Sequence, residues 1–317
     1  MKIVVTGAAG FIGSNLTDYL LERGHTVVGI DNLSTGLKRF LEKAEANPGF
    51  SFFQEDLKAK DLKDKIDGAD MVYHLAANAD VRFGLDHPSK DLEENTIATF
   101  NLLEAMRAVG CNKIAFSSTG SVYGEAAVIP TPENCPFPVQ TSLYGASKLA
   151  CEGLLQAYSE GYGFTSSIFR FVSILGERYT HGHVYDFYKK LREDPTRLNV
   201  LGNGYQKKSY LYIQDCLEAI DLAVNSDNQK SNLYNLGVND VCNVRESISW
   251  ICDELGLNPE LIFEDSERGW VGDNPHIHLD TSKVTGIGWE PKYTIEQSIR
   301  KTVKFLKNNQ WVFNERN

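Results

Sequence analysis

The sequence predicts an α/β protein: a doubly wound parallel sheet with helices on both faces, followed by a smaller C-terminal α/β lobe. Three observations carry that expectation. Short β-branched runs at residues 3–5, 26–30, 50–54, 71–75 and 113–117 alternate with stretches of helical periodicity, the pattern of strands joined by crossover helices. A glycine-rich segment follows the first run and opens an amphipathic helix. After about residue 173 the regular alternation weakens, which marks the second lobe.

The elements follow in order. Run 3–5 leads into Thr6-Gly7-Ala8-Ala9-Gly10-Phe11-Ile12-Gly13, a G-x-x-G-x-x-G turn. Gly7 permits the sharp turn, Gly10 lets the chain approach a pyrophosphate, and Gly13 lets the helix pack tightly on the sheet, while the helix N-terminus offers unpaired N–H groups. Asp31 stands 18 residues after Gly13 at the end of the second strand, where a carboxylate accepts both adenosine ribose hydroxyls and repels a 2′-phosphate. NAD is therefore expected over NADP. Asp56-Leu57, after the third strand, is a candidate border of the adenine.

The fifth strand ends at Ser117-Ser118-Thr119, and the helix expected at 142–160 carries Tyr144 and Lys148. Four residues apart on a helix, the two share a face. A phenol ionises only near pH ~10, but a neighbouring ammonium favours the phenolate, so the pair can act as a general base near neutral pH. Run 165–172 completes six strands. Beyond it, Gly202-Asn203-Gly204 is a turn, 209–213 and 233–236 are short strands, and 215–226 and 243–255 are helices. The expected domains are 1–173 and 174–317, with the chain free to cross back, sharing an interface and a cleft.

With 317 residues the chain has room for about two domains. A net charge of -10 without any Lys/Arg block repels phosphate backbones, so neither nucleic acid nor membrane is an expected partner. Thr6 and Gly7 interrupt the first apolar run, so no signal peptide is expected and the protein is placed in the cytoplasm. Cys111, Cys135, Cys151, Cys216, Cys242 and Cys252 form no C-x-x-C pair and read as reduced, packing thiols. His181/His183 and His276/His278 lack a Cys or carboxylate to complete a tetrahedral set, so no metal is expected.

Taken together, Thr6 to Gly13, Asp31, His74-Leu75-Ala76-Ala77, Glu94-Asn95-Thr96, the S-S-T-G-S-V-Y-G run from Ser117 to Gly124, Tyr144/Lys148 and Gly288-Trp289-Glu290-Pro291 resemble the extended short-chain dehydrogenase/reductase family, specifically its nucleotide-sugar epimerases and dehydratases. The resemblance covers essentially the whole chain. It implies a Rossmann domain with a catalytic triad on Thr119, Tyr144 and Lys148, and NAD contacts from Gly7, Gly10, Phe11, Ile12, Gly13, Asp31, Asn32, Asp56, Leu57, Leu75, Ala76, Ala77, Asn95, Ser117, Tyr144, Lys148 and Phe171. In the implied reaction Tyr144 takes the proton of the sugar C4 hydroxyl, NAD takes the C4 hydride, and an epimerase returns the hydride to the opposite face of the 4-keto sugar. Dehydration needs an acid/base pair after the Ser/Thr position. This sequence has Gly120-Ser121 there, so dehydration is disfavoured.

The second lobe resembles that of 4-epimerases acting on UDP-sugars. Arg178, His183, Val184, Tyr185, Asn199 and Val200 are implied substrate contacts, with Lys208 and Arg268 neutralising the diphosphate. Lys208 replaces the arginine usual in the family, and the run Arg268-Gly269-Trp270 is slightly longer than the family's pattern. Thr119, Ser121 and Ser173 resemble the uronate-handling members, with Arg82 or Arg178 to balance a C6 carboxylate. UDP-glucuronate is therefore expected ahead of UDP-glucose or UDP-N-acetylglucosamine. Decarboxylation of the 4-keto uronate, another nucleotide-sugar 4-dehydrogenase and a non-catalytic NAD-binding protein are the alternatives. A homodimer through helices near 89–109 and 142–160 is implied as well.

Overall fold

Strand β1, Lys2–Thr6, lies between β2, Thr26–Asp31, and β4, Met71–His74, because its residues Ile3 to Val5 are apolar on both faces and need cover on each side. The sheet continues through β3, Phe50–Gln54, on one side and through β5, Lys113–Thr119, and β6, Thr165–Phe171, on the other, ending at the strand Ser231–Leu236. The register sets Thr6 opposite both Ile30 and His74, and His74 opposite Phe116. Gly7, Asp31, Leu75 and Ser117 therefore emerge along one edge of the sheet, at the point where the strand order reverses.

The molecule is a computed structural model that describes residues 1–59, 62–78, 83–136, 139–226, 229–269, 274 and 276–315. Two units divide the chain: Met1–Gly124, Val139–Arg170 and Ile220–Tyr234 form the first, and Glu125–Pro138, Phe171–Ala219 and Asn235–Asn317 the second. The sheet has seven strands where six were expected. Residues 233–236, expected in the second lobe, belong to a strand that joins the first sheet beside β6. Nearly every β6 residue is buried, so a neighbour is needed to pair its backbone. No local pattern tells a strand which sheet it will join.

Three helices of the first unit position its site. Helix α1, Phe11–Glu22, follows the glycine turn. Helix α2, Ala98–Val109, continues from a π-helical turn, Leu92–Ile97, and ends on Gly110 at φ +76°. Helix α3, Leu143–Tyr162, starts where Ser142 Oγ accepts from the Gly145 N–H at 3.0 Å and stops at Gly163, φ +71°. The core joins Val4, Val28, Val72, Ile114 and Phe116 of the sheet to Leu102, Leu103 and Met106 of α2 and Cys151 and Leu155 of α3. Burying each large side chain contributes about 1.5–3 kcal/mol, so α2 and α3 are held firmly to one face.

The second unit has its own small sheets: Ser173–Leu175 beside Tyr210–Tyr212, Arg197–Val200 beside Glu260–Phe263, and Lys207–Lys208 between Cys242–Asn243 and His276–Ile277. Helix Ile295–Asn308 starts with a capping box of Thr294 and Gln297 and buries Ile295, Ile299, Val303 and Leu306. The loop after Trp289 is tied down by Asp215, whose carboxylate accepts from the Lys292 and Tyr293 N–H groups at 3.1 Å each. Among the described residues no helix is long and apolar enough to cross a membrane.

Candidate active site

The glycine turn is shaped for a dinucleotide. Gly7 sits at φ +69°, and a Cβ there would stand 2.7 Å from Ala76 N. A Cβ on Gly13 would stand 2.0 Å from Gly7 O, so this glycine admits the helix against the turn itself rather than against the sheet. A Cβ on Gly10 would meet only Gly7 O, at 3.1 Å. Gly10 is also the N-cap of α1 and places no side chain on the helix N–H groups, which leaves them for a phosphate. Phe11 is buried and Ile12 half-buried on the first turn.

Asp31 is buried at the end of β2, one carboxylate oxygen accepting from Ala9 N at 2.9 Å and the other from Leu33 N at 2.8 Å. Burial raises its pKa and the two bonds oppose the rise. Each oxygen keeps a lone pair for a ribose hydroxyl. Asn32 donates to Asp56 at 3.1 Å, joining the ends of β2 and β3. The Leu57 side chain lies in the core, so an adenine contact there would come from backbone alone. The residues present fit NAD, whose ring, when bound, accepts and returns a hydride.

At the end of β4, Leu75, Ala76 and Ala77 are half-buried, and Ala76 N donates to Thr6 Oγ1 at 3.3 Å. His74, fully buried, lies between Thr6 Oγ1 at 2.7 Å and Thr99 Oγ1 at 2.9 Å. Burial, with the Lys148 charge, lowers it to about 3, so it stays neutral. Asn95 occupies the π-turn. Its side chain accepts from Asn78 N at 2.9 Å and donates to Ser147 Oγ at 2.8 Å. It is a structural tie between the β4 loop and α3, a job its sequence context did not indicate.

The end of β5 meets α3. Ser117 carbonyl accepts from Lys148 Nζ at 2.8 Å, and Ser117 Oγ donates to the His74 carbonyl at 3.2 Å. Thr119 Oγ1 donates to Ser121 Oγ at 3.2 Å and accepts from Ser121 N at 3.1 Å. A Cβ on Gly145 would stand 2.8 Å from Ser121 O, so the residue after Tyr144 has to be small for α3 to lie on this turn. The Thr119 hydroxyl also lies where it acts on the Tyr144 phenol, lowering its pKa. The structure thus gathers Thr119, Tyr144, Lys148, Ser117 and Ser121 in one place.

The electrostatics correct one expectation. Desolvation, followed by the buried carboxylate of Asp91, raises the Tyr144 phenol above its ordinary value, and the Thr119 hydroxyl only partly opposes this. The resting side chain is a phenol, because desolvation and the Asp91 charge both disfavour the phenolate. Burial lowers Lys148 to about 8. Of the two, only Lys148 therefore sits near a change of protonation at neutral pH; the phenol is far from one, and positive charge beside it is what moves it toward phenolate.

The second unit places its candidates unevenly. Val184 and Tyr185 are core residues, Tyr185 stacked on Phe313 at 4.8 Å, and Val200 is buried too. The apolar positions of this helix and strand face inward, so these side chains pack in the interior of the unit. Arg178 is half-buried at φ +69°, a left-handed conformation uncommon for any residue but glycine. The His183 ring packs 4.7 Å from that of Tyr210. Burial and the Lys208 charge lower it to about 3. Lys208 Nζ donates to Asn274 O, and Arg268 pairs with Glu125. Ser173 and Asn199 are exposed. Phe171 is buried at the end of β6. Arg82 and Trp270 lie outside the described residues.

Sequence reasoning missed Asp91, Thr99, Ser147, Glu152 and Arg170, and took His74 only as a marker. Glu152 had a signal: it continues the four-residue ladder Tyr144, Lys148, Glu152 along α3.

Known proteins resemble this chain along its length. It is 34% identical over 314 residues to a putative UDP-glucose 4-epimerase of Methanocaldococcus jannaschii, covering 97% of this chain and 99% of the relative. A crystal structure of UDP-galactose 4-epimerase superposes with a TM-score of 0.88 at 37% identity, covering 98% of this chain and 100% of that one. UDP-glucuronic acid 4-epimerase from Bacillus cereus, in complex with UDP-glucuronic acid and NAD, gives 0.89 at 28% identity, with 97% and 99% covered. Residues 3–237 match the family described as NAD dependent epimerase/dehydratase. With the glycine turn, Asp31 and the Tyr144/Lys148 helix in place, the chain belongs to the NAD dependent epimerase/dehydratase family.

Proposed function

We propose that this protein is an NAD-dependent UDP-sugar 4-epimerase whose substrate is UDP-glucuronate ahead of UDP-glucose. The observation that carries the reading is the joining of Thr119, Ser121, Tyr144 and Lys148 at the end of β5. Tyr144 Oη takes the proton of the C4 hydroxyl and later returns it. Thr119 holds the phenol in place, and Lys148, anchored on the Ser117 carbonyl, supplies the positive charge that favours the phenolate. Lys208 and Arg268 serve the diphosphate.

The uronate preference rests on hydroxyls. Ser121 Oγ accepts the Thr119 hydrogen, leaving its own hydrogen to donate, and Ser173 is exposed. A C6 carboxylate is the acceptor such donors favour, and Arg178 balances its charge. We also assign a homodimer to the faces of α2, the π-turn before it and α3, where Leu92, Ile97, Phe100, Leu143 and Tyr162 are exposed.

Proton NMR of the protein with UDP-glucuronate, with UDP-glucose in a parallel tube, tests the substrate. A UDP-galacturonate spectrum growing to a fixed ratio without a pentose product is expected. Inversion of the glucose tube alone would refute the uronate assignment, and a pentose product would make the enzyme a decarboxylase.

A further inference from the structure

The last three residues of β5 meet successive turns of α3. The Ser117 carbonyl takes Lys148 Nζ and Ser118 Oγ donates to Glu152 Oε1, while Thr119, bonded to Ser121, acts on the Tyr144 phenol. Glu152 is buried, and Arg170 of β6 grips it with two bonds, Nε to Oε1 at 3.0 Å and Nη2 to Oε2 at 2.6 Å. The Arg170 guanidinium also lies 4.4 Å over the ring of Tyr123, which ends the short turn carrying Ser121. One carboxylate therefore links β5, β6, α3 and that turn.

A buried ion pair is a poor way to gain stability, since apolar residues of similar size serve as well. What it supplies is direction: oxygens that accept from Ser118 and Arg170 at fixed angles. We propose that Glu152 and Arg170 are positioning residues for proton transfer, setting through Ser118 the register in which Thr119 and Lys148 meet Tyr144. The inference rests on the assignment of proton transfer to Tyr144. Among the described residues, the charged or titratable groups that act on Lys148 are Cys151 and Glu152 on its own helix and Asp91 ahead of the π-turn, and Lys148 in turn acts on His74 of β4. Removing Glu152 removes one of three groups that favour the ammonium.

Ser118→Ala deletes the link and leaves the ion pair intact. Its kcat, on whichever UDP-sugar the wild type inverts, is expected to fall about tenfold with KM within about twofold, as for a small misplacement of reacting groups. The acid limb of the kcat profile is expected to move to higher pH, and Ser118→Thr to restore both. Glu152→Leu/Arg170→Met removes both charges together with the acceptor of the Ser118 hydroxyl, keeps the site free of an unpaired ion, and is expected to lower kcat at least as far as Ser118→Ala does. Folded variants with wild-type kcat and an unmoved acid limb would overturn the proposal. Tyr144→Phe is the control: full activity there would refute the assignment of Tyr144 instead.

Discussion

Replacing Gly13 by alanine tests the geometry of the cofactor turn. The new Cβ would stand 2.0 Å from Gly7 O and 2.8 Å from Gly7 C. A carbon and a carbonyl oxygen need more than ~3 Å, so the first turn of α1 must retreat by about 1 Å, an overpacking that costs about 1–3 kcal/mol. Alanine returns up to about 1 kcal/mol in helix propensity, so the net loss of stability is small. The effect on the cofactor is larger, because the N–H groups aimed at the phosphates move with the helix. Retained NAD, released from the purified protein by acid and read by absorbance, is expected to fall at least ~10-fold, equivalent to ~1.4 kcal/mol. Gly286→Ala is the control: its Cβ meets no heavy atom, and NAD content should be unchanged. Wild-type NAD content in Gly13→Ala would refute the reasoning.

Further outcomes follow from the same geometry. Tyr144→Phe should lower kcat by about 10²–10⁴-fold while NAD stays bound, since it removes only a proton carrier. His74 is held to about 3 when folded against about 6.5 unfolded. The unfolded chain therefore binds more protons between those values, and the stabilisation, complete above pH ~6.5, is lost toward pH ~3 by about 1.4 kcal/mol per pH unit. Melting temperatures from pH 4 to 7 should show that loss, with a contribution of the same sign from His183, and His74→Gln should flatten the slope. An unchanged slope would remove His74 from the account. Lys208→Met should raise KM for the UDP-sugar about tenfold with kcat nearly unchanged, the pattern of lost uniform binding; a fall in kcat alone would contradict a diphosphate role.

Much of the first unit was legible because its signals are local. Glycines that must lack a Cβ, a carboxylate at a strand end and a Tyr–Lys pair one helical turn apart each follow from short-range geometry. The second unit was harder to read. Val184, Tyr185 and Val200 lie in a likeness to the family, but their side chains turn inward, and inward or outward orientation depends on what packs against the helix and strand.

The sequence by itself determined the alternation of strands and helices, the dinucleotide turn and the candidate pair Tyr144 and Lys148. Only the tertiary structure decided that Ser231–Leu236 closes the first sheet, that Asn95 is spent on internal bonds, and that Glu152 and Arg170 stand behind the β5–α3 junction. It also decided the protonation states. Local spacing brings Lys148 near Tyr144, yet desolvation and the charge of Asp91 come from the surrounding fold, and they keep the phenol protonated. Periodicity and turn chemistry act over a few residues, whereas burial and charge act through space between segments distant in the chain.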